Sequence, residues 1–431
     1  MSRPLLAPLS LPAAEATEAW LREELPALLA EAAELAEGLR AGGPRETLAV
    51  LRQWDRLMLR IGDASALGSL LANVHPDEAV RTYCEEVEQD ADRMVTGLRQ
   101  DRRLYDVLAA LDPGGLDEQA ARLLEKTLDD FRRAGVDRDD ATRARLAEIN
   151  ERLTLVGQEF SRNTRDDVRT VRVPPERLDG LPQDWRDAHP AGEDGLVPVT
   201  TDYPDLVPVR MFAHDPAVRR EVTVASLERG WPQNEPLLVE MFALRHELAT
   251  LVGYPDWASY DADVKMIKEG PAIPAFIDRI AGAAEEPMRR DLELLLERYR
   301  RDVPGASAID AADSLYYEEL VRQERHDVDA QRVRAYFDFA KVRQGLLDVT
   351  GRLFGLRYEP VADAPVWHED VTVYDVHDAR GADGSGELLG RIYLDLHPRE
   401  GKYKHAAQFT LRDGVAGEQL PEGVLVCNFS R

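Results

Sequence analysis

The sequence contains little cysteine, with only Cys84 and Cys427 in 431 residues. Two cysteines exclude a disulfide framework and a cysteine-rich metal site. No apolar run is long enough to cross a bilayer. Residues 1–16 contain three prolines and continue into acidic sequence, which is unlike a signal peptide. A cytoplasmic location is therefore predicted.

Basic residues are in the minority, since 54 Lys and Arg stand against 80 Asp and Glu and the formal net charge is −26. A nucleic-acid backbone or an anionic membrane surface would be repelled by this charge, so neither is an expected partner. The sequence also lacks a glycine-rich phosphate loop, a nucleophile elbow and a Cys–His arrangement. It does not determine the oligomeric state.

The metal-binding signature of zincins is incomplete. Such a helix needs histidines at i and i+4, because these positions share one face and can hold one zinc ion. His246 and Glu247 begin the pattern, but Thr250 stands where the second histidine is required. No HExxH occurs anywhere in the sequence.

Histidines are relatively frequent towards the C-terminus, and a sheet that brought them together could bind zinc or nickel. They are His368, His377, His397 and His405. Their spacings match no compact ligand pattern, so hydrogen-bonded or exposed histidines are the favoured interpretation.

Helical periodicity dominates the first two thirds of the chain. One set of apolar residues with 3-4-3-4 spacing occupies a single helical face: Leu146, Ile149, Leu153, Val156 and Phe160. A long helix is predicted from about Pro274 to Tyr299, with a kink at Pro287. The stretch from Pro174 to Pro208 is rich in Pro and Gly, and it is predicted to hold a short strand or two.

The pattern changes near Val366 to strand-like alternation. Ile392, Leu394 and Leu396 alternate with polar neighbours, which predicts a strand with one buried face. Further strands are predicted near Val371, from Ala407 to Leu411 and from Val424 to Phe429, with the run DARGADGSG as a hairpin loop. The residues thus predict a mainly α protein that carries a small sheet of three or four strands.

Several segments of the chain resemble the M3 family of zinc metallopeptidases, of the thimet oligopeptidase and oligopeptidase A kind. The most specific are VWHEDVTVYDV, GRIYLDLHPREGKYKHAAQF and VLVCNF, between Val366 and Phe429. Upstream segments also fit, namely NVHPDEAVR, EKTLDDFRRAGV, ALRHELATLVGYPDWASY, DSLYYEEL and VRAYFDFAKVRQGLLDVTGRLFGL. The similarity extends in order from about residue 45 to residue 431.

The resemblance implies a multi-helix, neurolysin-like scaffold with a deep channel and a zinc metalloendopeptidase activity on short peptides. In that case residues 1–170 form an N-terminal helical domain, 171–210 a connector, 211–365 the helical part of the peptidase domain and 366–431 the small sheet. The family's zinc ligands and catalytic residues lie beyond the point that matches Phe429. The chain is therefore expected to be an N-terminal portion that binds no zinc and is inactive alone.

Three residues are candidates for the lining of the substrate channel by this resemblance: Lys402, Tyr403 and His405. A role in holding the sheet together is an equal alternative for them. Two other functions stay open, a non-catalytic peptide-binding module and one half of a split enzyme whose zinc helices belong to a separate chain.

Overall fold

Six amphipathic helices form the first part of the chain, in a computed structural model that describes residues 7–12, 16–44, 46–380 and 386–429. They are α1 (Thr17–Arg40), α2 (Thr47–Val74), α3 (Glu78–Arg99), α4 (Arg102–Ala109), α5 (Glu118–Arg133) and α6 (Asp140–Asp166). Aspartate N-caps start four of them, because the carboxylate accepts the unpaired N–H groups of the first turn. The predicted apolar face of α6 is confirmed, with Leu146, Ile149 and Val156 buried.

Nine further helices follow among the residues that the structure describes. They are α7 (Gln183–Ala188), α8 (Tyr203–Phe212), α9 (Pro216–Leu227), α10 (Asn234–Leu251), α11 (Trp257–Ala262), α12 (Ala272–Asp302), α13 (Ser314–His326), α14 (Ala330–Arg334) and α15 (Phe339–Phe354). The long helix predicted around Pro287 is α12. The prediction of a short strand or two between Pro174 and Pro208 is confirmed by β2 (Val197–Thr200), which pairs antiparallel with β1 (Thr170–Val173), a strand that precedes this stretch. No helix among the described residues is long and apolar enough to span a membrane.

In the described part of the chain, the sheet near the C-terminus has five strands rather than three or four. They are β3 (Leu356–Pro360), β4 (Thr372–Asp378), β5 (Leu388–Asp395), β6 (Ala407–Arg412) and β7 (Glu422–Val426), in the order β3-β4-β5-β7-β6. Strands β5 and β7 are parallel and all other neighbours are antiparallel. The predicted loop joins β4 and β5, but its residues 381–385 lie outside the described part of the chain. The strand missed by sequence reasoning is β3, whose residues are exposed or half-buried and so lack a clear alternation.

The prediction that β5 has one buried face is wrong, because both of its faces are covered. Tyr393 packs into the largest apolar cluster, together with residues of α1, α2 and α3. Leu394 and Leu396 lie on the other face, in a small cluster with Cys427 and the half-buried Phe339. The helices at the start of the chain therefore supply the layer that the sheet requires.

Candidate functional site

A cavity of about 750 Å³ lies between the first helices and the sheet. It is lined by residues of α2, α3 and α6, by Arg229 and by the segment from Tyr403 to Phe409. We call it the interhelical cavity. Small side chains open it: Ser65, Ser69 and Ala72 on α2, and Gly157, Ser161 and Thr164 on α6. At helical spacing such residues share a face, so the two helices leave space between them.

The floor of the interhelical cavity includes the edge of the sheet. Ala407, Gln408 and Phe409 of β6 line it, and β6 is the last strand in the sheet order. Among the described residues, the backbone of β6 is hydrogen-bonded only to β7. The outer backbone groups of this edge thus have no hydrogen-bond partner among the described residues, although helix α2 also packs against β6.

Lys402 is fully buried and does not line the interhelical cavity. Its Nζ donates to the backbone oxygens of Asp395, His397 and Cys427 at 2.6–2.9 Å and to Asp395 Oδ1 at 2.7 Å. Its neighbour in sequence, Lys404, is the lysine that lines the cavity. Lys402 thereby ties the turn before Tyr403 to the ends of β5 and β7.

The carboxylate of Asp395 pairs with a second cation, Arg399, in addition to Lys402. Arg399 donates two hydrogen bonds of 2.7 Å to its carboxylate, and Trp367 Nε1 donates a third at 2.9 Å. Burial alone would raise the pKa of Asp395, but the hydrogen bonds and charges of Arg399 and Lys402 outweigh it and lower that pKa. The sequence prediction for β5 assigned Asp395 to an exposed face, and its burial is explained by these partners.

Tyr403 and His405 both line the interhelical cavity. The amide of Tyr403 donates to the carbonyl of Asn73 at 2.7 Å, which joins this segment to the end of α2. His405 Nδ1 lies 2.6 Å from the hydroxyl of Tyr203. Burial, and secondarily the charge of Arg229, lowers the pKa of His405. Whether the cavity is a substrate channel remains a prediction.

Charges of opposite sign line different walls of the interhelical cavity. One face of α3 supplies Glu85, Glu88 and Asp92, whose spacing of three and four residues is a signal that sequence reasoning could have used. Burial raises the pKa of Glu88, although hydrogen bonds from Ser69 and Gln158 oppose this. The cations are Arg165, Arg229 and Lys404.

The C-terminal histidines do not meet at one point. His377 and His397 each bond to a separate backbone carbonyl, that of Gly386 and that of Phe429, both at 3.1 Å. His368 lies 3.4 Å from Asp370. No group of three His, Cys, Asp or Glu side chains in the described ranges could hold a metal ion.

The His246-Glu247 pair is also engaged elsewhere. Glu247 forms a two-pronged ion pair with Arg145 at 2.7 and 2.9 Å, across α6 and α10, and this hydrogen bonding lowers the pKa of Glu247. Thr250, at the position of the missing ligand, donates to the carbonyl of His246 instead. The described residues therefore do not fit the zinc ion that the family resemblance implies.

Arg229→Ala should raise the pKa of His405. The positive charge of Arg229 disfavours the imidazolium form, so its removal should move the pKa towards the ordinary value. An NMR titration of the His405 ring, assigned with His405→Gln, would measure the change. Arg220→Ala is the matched control, because Arg220 is exposed and paired with Asp310 at 2.7 Å. An unchanged pKa in Arg229→Ala would contradict the arrangement.

Comparison with known proteins gives a consistent result. Residues 209–431 match Peptidase family M3. The thimet-like oligopeptidase of Dictyostelium discoideum is 29% identical over 400 residues, which cover 88% of this chain and 59% of that protein. Saccharolysin of Saccharomyces cerevisiae is 28% identical over 337 residues, 73% of this chain and 47% of that protein. Oligopeptidase A of Salmonella typhimurium is 27% identical over 467 aligned residues, 100% of this chain and 66% of that protein. The chain thus spans about half to two thirds of the length of these relatives.

Proposed function

Because the chain belongs to peptidase family M3, we propose that it serves in the hydrolysis of short peptides. In this proposal the chain contributes a peptide-binding surface, the interhelical cavity, and does not contribute the zinc ligands. The names of the relatives, two oligopeptidases and a saccharolysin, support the class of substrate. A cytoplasmic location is part of the same proposal.

The observation that carries the proposal is the interhelical cavity with the free edge of β6 on its floor. An extended peptide can add to a sheet edge through main-chain hydrogen bonds, which are independent of its side chains. Leu153, Phe160 and Phe409 offer apolar surface beside this edge. The volume, about 750 Å³, is in the range of small-ligand sites, so it suits a few residues of an extended chain and excludes a folded protein.

Zinc enters this proposal only as the metal that the family resemblance implies. When bound in such an enzyme, zinc polarises the scissile carbonyl and activates a water molecule. The sequence holds no HExxH, and the described residues offer no metal-binding group. No catalytic step is therefore assigned to a residue of this chain.

Two alternatives remain as proposals of lower rank. The interhelical cavity alone would serve a peptide-binding module without catalysis. A split enzyme would need a surface on which the polypeptide with the zinc ligands packs, and exposed apolar faces on α12 and α15 suit this role.

The purified chain supplied with zinc sulfate should not hydrolyse a quenched fluorogenic peptide above the rate without protein. It should nevertheless bind peptides in isothermal titration calorimetry, because binding requires only the interhelical cavity and the edge of β6. Hydrolysis that follows the chain through gel filtration and disappears with EDTA would overturn the expectation of inactivity. Absence of peptide binding would remove the support for the cavity as a peptide site.

A further inference from the structure

The guanidinium of Arg229 has no hydrogen bond and no close ion pair among the described residues, although its charge acts on the carboxylate of Asp167 from a greater distance. The other two cations of the interhelical cavity are engaged. Arg165 lies 3.7 Å from Glu85 and also donates to the carbonyl of Ala72. Lys404 pairs with Asp202 at 3.2 Å. By contrast, the Nε of Arg229 is buried without an acceptor among the described residues.

We infer that Arg229 binds a carboxylate of a peptide in the interhelical cavity, an inference that rests on the proposed function. A guanidinium presents its N–H donors in a planar fork that matches the two oxygens of a carboxylate. A buried donor without an acceptor is costly, so an incoming carboxylate would satisfy Nε as well as the charge. The guanidinium of Arg229 lines the same cavity as the edge strand β6.

The surroundings favour a single carboxylate over a phosphate or another multiply charged anion. Glu85 and Asp92 line the same cavity, and the whole protein carries a formal charge of −26. Both would repel a dianion more strongly than a monoanion. His405 adds little positive charge there, since its pKa is lowered. A single guanidinium without a close ion-pair partner suits one carboxylate better than a multiply charged anion.

The carboxylate can come from the C-terminus of the peptide or from an Asp or Glu side chain. The chemistry at Arg229 is the same in both cases, and three peptides separate them. The first is Ala-Leu-Phe-Leu-Ala with a free C-terminus, the second is its C-terminal amide, and the third is the amide of Ala-Leu-Glu-Leu-Ala. Binding of each to the purified 431-residue chain is measured by isothermal titration calorimetry.

The free-acid peptide should bind about tenfold more tightly than its amide, as expected for one charge-assisted hydrogen-bonded pair. Arg229→Ala should weaken binding of the free acid by about the same factor and leave binding of the amide unchanged. Arg220→Ala removes the same charge beside the same helix α9, but Arg220 is exposed and paired with Asp310. This control variant should bind all three peptides like the unaltered chain.

Each outcome decides between the possibilities. If only the binding of the Glu-containing amide depends on Arg229, then Arg229 binds side-chain carboxylates. If all three peptides bind equally and Arg229→Ala does not change their binding, Arg229 does not bind a carboxylate, and the cavity stays a peptide site. Failure of every peptide to bind overturns both the carboxylate contact of Arg229 and the proposed peptide site. An equal loss for all three in Arg229→Ala, with an unaltered circular dichroism melting curve, also contradicts the carboxylate contact, because such a contact would act on the acids alone.

Discussion

Lys402→Met should lower the free energy of unfolding by about 3–5 kcal/mol, as expected when one member of a buried charge network is removed. The side chains of Lys402 and Asp395 are both 0% exposed. Methionine has a similar length but no donor, so three backbone oxygens and one carboxylate oxygen would lose the hydrogen bonds from Nζ. Arg399 would still pair with Asp395, which holds the loss within this range. Urea unfolding followed by circular dichroism measures it.

A surface lysine supplies the matched control. Lys126 has a side chain that is 44% exposed and lies 3.8 Å from Asp129, so Lys126→Met should change the free energy of unfolding by less than about 0.5 kcal/mol. Similar small changes in both variants would show that the buried network does not stabilise the fold.

The pH dependence gives a second readout of the same network. The native pKa of Asp395 is lowered, so its contribution is present above the unfolded pKa and is lost as pH falls through the lowered native pKa. Without the charge of Lys402 that pKa is depressed less. The difference in stability between the unaltered chain and Lys402→Met should therefore shrink in acid.

Local patterns were sufficient to predict α6, the long helix α12 and most strands of the sheet. The spacing of Leu146, Ile149 and Val156 identified the buried face of α6, because helix packing follows a period that a single segment displays. The burial of Asp395 was not predictable in this way. Its partners Arg399 and Lys402 are close in sequence, but the carbonyl of Cys427 and the covering helices come from distant segments.

The candidate site depended even more on distant contacts. Tyr403 and His405 were named from a family resemblance, and both line the interhelical cavity, whereas Lys402 does not. No pattern in the sequence distinguished Arg229 from the many other arginines. Arg229 differs from them only after folding, because its buried Nε has no acceptor among the described residues.

Large apolar side chains remain exposed on two of the later helices, α12 and α15. On α15 they follow a spacing of four, three and four residues, with Val342 45%, Leu346 47%, Val349 44% and Leu353 71% exposed. On α12 no described residue is buried, and its exposed residues include Phe276, Ile277, Ile280, Met288 and Leu292. Regular stripes of this kind are typical of faces that pack against other polypeptide.

In the split-enzyme proposal, the partner would be a polypeptide equivalent to the third of the Salmonella relative that this chain does not cover. A polypeptide equivalent to that third would have to bury apolar surface of its own against the matched part. We call the four exposed residues of α15 the α15 stripe. Packing on it would remove the remaining exposed area of these side chains from water, which contributes roughly half of the 1.5–3 kcal/mol of complete burial for the three half-exposed ones and more for Leu353.

The double variant Leu346→Glu with Leu353→Glu should abolish association with such a partner. Two charges in an apolar contact cannot be desolvated without a large cost. The uncovered third of Salmonella oligopeptidase A, produced separately, should co-elute with the unaltered chain in gel filtration and not with the double variant. The double variant should also bind less of a hydrophobic dye, because the α15 stripe is interrupted while the exposed residues of α12 remain. Leu227→Glu is the matched control, since Leu227 is 78% exposed on α9 and lies outside the stripe. A chain that elutes as a dimer, and becomes a monomer in the double variant, would instead assign the α15 stripe to a second copy.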